Sequence, residues 1–136
     1  MFKKSSLLFL LVLVFALTLA ACGGGSGGGE TSDIGDVSAG KALFEEPIID
    51  VQPGCNTCHS LTPDQVVVGP SLAGVATRAE TRVSGMTAED YIRESILHPD
   101  NYVVEGFDPG VMVQVWEQTL SPEQVDNLIA YLLTLK

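Results

Sequence analysis

The run Cys55-Asn56-Thr57-Cys58-His59 holds the residues best suited to chemistry. Two cysteines three apart on a helical turn present both sulfurs on one face, where each can add to a vinyl group of the same porphyrin. The adjoining histidine then lies beneath the iron, and this spacing is the pattern of c-type haem attachment. Two other chemistries use similar residues. A thioredoxin-like redox pair shares the Cys-x-x-Cys spacing but wants a strand before it in a βαβ unit, and Pro53-Gly54 stand there instead. A structural zinc site needs a fourth ligand, and after Cys55, Cys58 and His59 only His98 remains.

Haem iron takes a sixth ligand, for which the chain offers Met112, His98 and Met86. Met112 sits in Pro-Gly-Val-Met-Val just before the last helical segment, which lets the chain return to the far haem face. A thioether there stabilises ferrous iron and raises the potential relative to two histidines. His98 precedes Pro99 at a helix end, where an imidazole commonly hydrogen-bonds the last carbonyls. Met86, before the helix-opening Thr87, could equally be a staple residue packing on that helix. Met112 is the preferred reading. With both axial positions taken by protein, substrate has no way onto the iron, and the expected activity is transfer of one electron rather than catalysis.

Helical signals dominate the part that must position these groups, and no convincing strand pair is visible. Asp36 can cap a helix running to about Glu46, with Val37, Ala39, Leu43 and Phe44 on one face and Pro47 as its stop. Thr87 with Asp90 resembles a capping box opening a helix with Tyr91, Ile92, Ser95 and Ile96 on one side, ending before Pro99. Ser121, Pro122 and Gln124 open a third, whose Val125, Leu128, Ile129, Leu132 and Leu133 recur at helical spacing. Residues 51–85 and 100–120 read as long irregular stretches rich in Gly, Pro, Asp and Ser. Loops longer than about 12 to 15 residues are uncommon in a compact domain unless something holds them. A haem would fill the middle, with the loops wrapped round it.

The chain has 136 residues, 17 acidic against 7 basic, 3 cysteines and a formal charge of -10, which bounds it to one small acidic domain. Residues 1–21 read as an export signal: Lys3 and Lys4, about fifteen apolar residues, then Leu19-Ala20-Ala21-Cys22. The apolar run is short of the roughly 20 residues that cross a bilayer core. Leu-Ala-Ala-Cys resembles the bacterial lipoprotein box, which makes Cys22 the first mature residue and its lipid anchor; two or more acyl chains give stable attachment. Residues 22–36 then form a tether, Gly-Gly-Gly-Ser-Gly-Gly-Gly followed by a polar stretch, spanning roughly 20 Å on average and about 45 Å at full stretch. Removing the signal leaves 5 basic against 17 acidic residues and a formal charge of -12. Nucleic acid is excluded as a natural partner, since phosphate binding requires a basic surface. Anionic lipid is disfavoured for the same reason, so the acyl chains must attach the protein to the membrane.

Over residues 37–136 the sequence resembles the class I cytochrome c family, and more closely the mono-haem domains fused to subunit II of haem-copper oxidases or standing alone as lipoproteins. The resemblance is carried by Gly40-Lys41-Ala42-Leu43-Phe44, Cys55-Asn56-Thr57-Cys58-His59, Val68-Gly69-Pro70-Ser71-Leu72, Tyr91-Ile92-Arg93-Glu94-Ser95-Ile96-Leu97, Tyr102-Val103-Val104-Glu105-Gly106, Met112, and Leu120-Ser121-Pro122-Glu123 with Leu128-Ile129-Ala130-Tyr131-Leu132. It implies an all-α fold, a small cytochrome c domain of three to five helices and long loops round one covalently attached haem c. In that fold the first and last helices cross, with Gly40 and Phe44 meeting Tyr131. It also implies that the Pro70 carbonyl accepts the Nδ1 proton of His59, fixing ring orientation and donor strength, and that Leu72 packs on the haem. Two departures stand out: Val113 follows Met112 where the family usually has Pro, and His98 stands where similar sequences often have Asn. Trp116, Tyr102 and Arg78 are read as packing or surface residues ahead of haem propionate partners.

The expected protein is a membrane-anchored electron carrier on the outer or periplasmic side of a bacterial membrane, moving electrons from a quinol-oxidising complex to a terminal oxidase or photosynthetic reaction centre. Its few lysines predict a redox partner with a basic or apolar dock. Two other readings keep the haem: a structural subunit of a larger respiratory complex, and a haem sensor with an open iron position.

Overall fold

The computed structural model describes residues 32–136. The signal, Cys22 and the glycine-rich run therefore lie outside the described residues. Helix α1 (Val37–Glu45) opens where Asp36 accepts hydrogen bonds from the Ser38 and Ala39 N–H groups at 2.8 and 3.0 Å. A short antiparallel pair, β1 (Ile48–Ile49) and β2 (Gln52–Pro53), leads into α2 (Cys55–Cys58), one turn that carries both cysteines. After a loop come α3 (Val75–Arg82), α4 (Ala88–Leu97) and a 3-10 turn (Pro99–Asn101). Helix α5 (Trp116–Thr119) and α6 (Pro122–Leu132) complete the domain.

The architecture is the expected all-α one apart from the small β1–β2 pair, with six α-helices among the described residues, one above the expected three to five. Two of the six, α3 and α5, fall in stretches read as irregular. Helix α3 was missed because its sequence VATRAETR buries only Val75, Ala76 and Ala79, and Gly74 offers no side-chain cap. Helix α5 is a single turn with one buried residue, Trp116. The β1–β2 pair also went unseen: two residues per strand give no alternation to read, and Asp50 closes the turn at φ +56°, a left-handed conformation that Asp tolerates better than most residues.

The folded unit starts earlier than the sequence suggested. Residues 32–36, read as the end of the tether, form a turn closed by the Ser32 hydroxyl and pinned to α6, where Asn127 Oδ1 accepts the Asp36 N–H at 2.7 Å. Ile34 packs on the core. The partner is 91 residues away in sequence, so local composition could not announce it.

Helices α1 and α6 pack against each other along their length. Gly40 makes their crossing possible: a Cβ there would come within 1.8 Å of the Asn127 carbonyl oxygen. One turn on, the rings of Phe44 and Tyr131 meet at 5.6 Å with a 54° tilt. Phe44, Leu128 and Ile129 are the largest fully buried side chains, each contributing about 1.5 to 3 kcal/mol by leaving water. Helix α4 lies beside them through Tyr91, Ile92 and Ile96. It is also tied to α6 by Arg93, whose guanidinium donates to Asp126 at 2.8 Å and to Glu89 at 3.0 Å.

The α4 cap leads to a prediction in acid. The Thr87 hydroxyl donates to Asp90 Oδ2 at 2.7 Å and the Thr87 backbone N–H donates to the same oxygen at 3.3 Å, and these bonds hold the Asp90 carboxyl below its ordinary value of 3.8. A carboxyl with a depressed folded value contributes stability that is present above its unfolded value and lost as pH falls through the folded one. Between about pH 6 and about pH 3, wild type should therefore lose more thermal stability than Asp90→Asn, as melting curves at both values would show.

Candidate functional site

Helix α2 is too short to hold itself. The loop that follows holds it: the Cys58 carbonyl accepts from both Val68 and Gly69 N–H at 3.1 and 2.9 Å, and Leu72 N–H reaches the Ser60 carbonyl at 2.8 Å. This brings residues 69–72 over His59. A Cβ on Gly69 would stand 2.5 Å from the imidazole Cε1, so only glycine lets the chain lie so close to the ring. Nδ1 of His59 is 2.9 Å from the Pro70 carbonyl oxygen. A carbonyl only accepts, so Nδ1 carries the proton and Nε2 the lone pair. Burial pushes the imidazole below its ordinary value, opposed by the bond to Pro70, and the ring stays a neutral nitrogen donor.

Arg78 steadies the same loop. Its guanidinium donates to the backbone carbonyl of Ser71 at 2.8 Å and to that of Ala73. Arg78 thus acts on the polypeptide.

Cys55, Cys58 and His59 open onto a cleft whose walls are almost wholly apolar: Phe44, Leu72, Val75, Ile92, Ile96, Trp116, Leu128 and Leu132 among them. Met112 lies in this lining; Met86 and His98 do not. Met86 packs instead against the hydrophobic core, and His98 is an exposed helix end whose N–H donates to the Glu94 carbonyl. Trp116 is buried and forms part of the wall, while Tyr102 stands edge-on to Tyr91 with ring centroids 5.8 Å apart. Val103, Val104 and Phe107 also line the cleft. Val103 and Val104 figured in sequence only as carriers of the family resemblance and Phe107 not at all, because an irregular stretch without period shows no buried face; their common signal is apolarity within a polar loop.

The residues fit a porphyrin and fit the other two chemistries poorly. Burial, its largest cause, pushes the Cys55 thiol up to about 11, whereas a redox-active Cys-x-x-Cys pair requires a thiol driven down. Among the described residues no group of three or more His, Cys, Asp or Glu side chains is arranged to hold a metal ion by itself. A large apolar ring bonded through two sulfurs and one imidazole nitrogen, in contrast, suits an almost wholly apolar cleft onto which those three side chains open. The loops that looked too long for a compact domain are the walls of that cleft.

An attachment helix, an imidazole oriented by a backbone carbonyl and an apolar cleft on an all-α frame define a mono-haem c-type electron carrier. The chain belongs to the cytochrome c family: the family model described as Cytochrome c matches residues 37–136. It is also similar to cytochrome c2 iso-2 of Magnetospirillum molischianum, 34% identical over 88 residues that make up 60% of this chain and 91% of the relative. Its cofactor is haem c, held by the Cys55-Asn56-Thr57-Cys58-His59 motif, and its partners are redox proteins.

Proposed function

We propose that this cytochrome is a lipid-tethered shuttle in which His59 and Met112 are the two axial ligands, Cys22 carries the acyl chains and the residues after it form the leash. The observation that carries the ligand assignment is the company Met112 keeps: it shares a cleft with Cys55, Cys58 and His59 that leaves Met86 and His98 outside. Bound there, haem c supplies exchange of one electron between ferric and ferrous iron. The chain's own residues do the rest. Cys55 and Cys58 bond the porphyrin edge, the Pro70 carbonyl orients His59 through Nδ1–H, and Leu72, Trp116 and Leu128 exclude water, which lowers the solvent reorganisation that accompanies each transfer.

The lipid anchor and export rest on residues 1–22, where two lysines, an apolar run and Leu-Ala-Ala-Cys follow in order. The leash would turn a search in three dimensions into a local encounter at high effective concentration. We place the domain on the outer side of a bacterial membrane, between a quinol-oxidising donor and a terminal oxidase or photosynthetic reaction centre. Exposed apolar residues flank the attachment motif, Ile48 and Val51 before it and Val66 to Val68 after it. They favour an apolar dock, and the acidic composition favours a basic one.

Mass spectrometry of the mature N-terminus tests the anchor. An acylated Cys22 is expected, with Cys22→Ala released from the membrane fraction; an unmodified N-terminus in wild type would refute it. For the dock, the association rate with the isolated acceptor complex should fall as salt rises if the surface it meets is basic. A rate independent of salt would leave only the apolar contact.

A further inference from the structure

We infer that Asp100 positions Met112 through a polar buckle closed across the loop that carries it; the inference rests on the reading of Met112 as the sixth ligand. Asp100 stands in the 3-10 turn that follows α4. Its Oδ1 accepts the Gly110 backbone N–H at 2.9 Å and Nε2 of Gln114 at 3.2 Å. The same Gln114 amide donates to the carbonyl oxygen of Met112 at 2.9 Å. One carboxylate oxygen thus holds the chain two residues before and two residues after Met112, and the residue bound on the far side also grips the Met112 backbone.

The loop needs such a fastening. From residue 102 to residue 115 it contains no helix or strand, and Val113 after the methionine does not fix its own backbone as a proline would. A thioether on a free loop of this length would spread over many positions, and every ordered residue costs conformational entropy. Two donors on an ionised acceptor counter that cost, since bonds to charged groups are stronger than neutral ones. The anchor end is firm: α4 buries Tyr91, Ile92 and Ile96 in the core, and Pro99 beside Asp100 is buried. Asp100 and Met112 line the same cleft, yet Asp100 is itself exposed, so its truncation leaves no cavity in the core.

The test uses the full haem-loaded chain in five forms: wild type, Asp100→Ala, Asp100→Asn, Gln114→Ala and Met112→Ala. Added imidazole replaces a methionine ligand of ferric iron only when the ligand loop opens, and loss of the weak near-infrared band of a ferric methionine-iron bond follows that replacement. Gln114→Ala should raise the replacement rate about tenfold, the scale of one lost bond to a charged group, and Asp100→Ala, which loses two such bonds, by at least as much. Asp100→Asn keeps an oxygen acceptor in place without the charge and should fall between wild type and Asp100→Ala. Melting temperatures close to wild type would accompany these changes, because a general loss of stability is not the cause. Wild-type rates in Asp100→Ala would overturn the buckle, as would an Asp100→Asn rate equal to that of Asp100→Ala. If wild type itself lacks a near-infrared band that Met112→Ala removes, the ligand reading fails and the positioning role fails with it; a band present with unaltered rates defeats the positioning role alone.

Discussion

Gly40→Val should leave the domain unable to close. The Cβ it introduces would sit 1.8 Å from the Asn127 carbonyl oxygen, 2.4 Å from its carbon and 2.9 Å from Tyr131 Cβ. Two of these are helix backbone atoms, so no rotamer change relieves the clash and α1 must move bodily off α6. The move separates Phe44 from Tyr131 and opens the cleft wall, to which Phe44, Leu128 and Leu132 contribute. Overpacking a core commonly costs about 1 to 3 kcal/mol, and a backbone collision between two helices belongs at the top of that range or above it. Against a total of about 5 to 15 kcal/mol, the expected fall in melting temperature is about 10 °C or more. Ala42→Val is the control: it lies on the exposed side of the same helix and should cost only about 0.7 kcal/mol or less of helix propensity. A Gly40→Val protein that melts with the control would mean that the two helices do not meet as described.

Cys55→Ser combined with Cys58→Ser should abolish covalent cofactor retention. Both sulfurs sit on the single turn of α2 and face one cleft, and serine preserves their size and the turn while removing the atoms that form thioethers. Wild type is expected to keep its haem through denaturing electrophoresis and acidified organic extraction; the double variant should release essentially all of it. Retention by the double variant would place the attachment elsewhere.

Much of this molecule is written locally. Asp36, the Thr87–Asp90 pair and the Ser121–Gln124 pair announce three helices because a cap acts within three residues, and the structure puts all three caps in place. The attachment run is equally local. What sequence hides is what depends on distant partners. Helix α3 is polar on most of its surface and stands because Val75 and Ala79 meet the rest of the core. The turn at residues 32–36 looks like linker until Asn127 supplies its acceptor. The cleft walls from residue 103 to residue 107 acquire meaning only when they close on the side opened by α4 and α6. Choosing among three possible ligands was a matter of chain direction in the sequence and becomes one of enclosure in the fold, which draws Met112 in and leaves His98 in solvent.

That choice is also where the whole account is most exposed. The absorption spectrum of the purified protein in both oxidation states, extended into the near infrared, tests it directly. Six-coordinate low-spin spectra are expected, with a weak ferric near-infrared band that persists in Met86→Ala and His98→Ala and disappears in Met112→Ala, where the reduced iron also becomes open to carbon monoxide. Survival of the band in Met112→Ala, or its loss in Met86→Ala, would contradict the assignment of Met112.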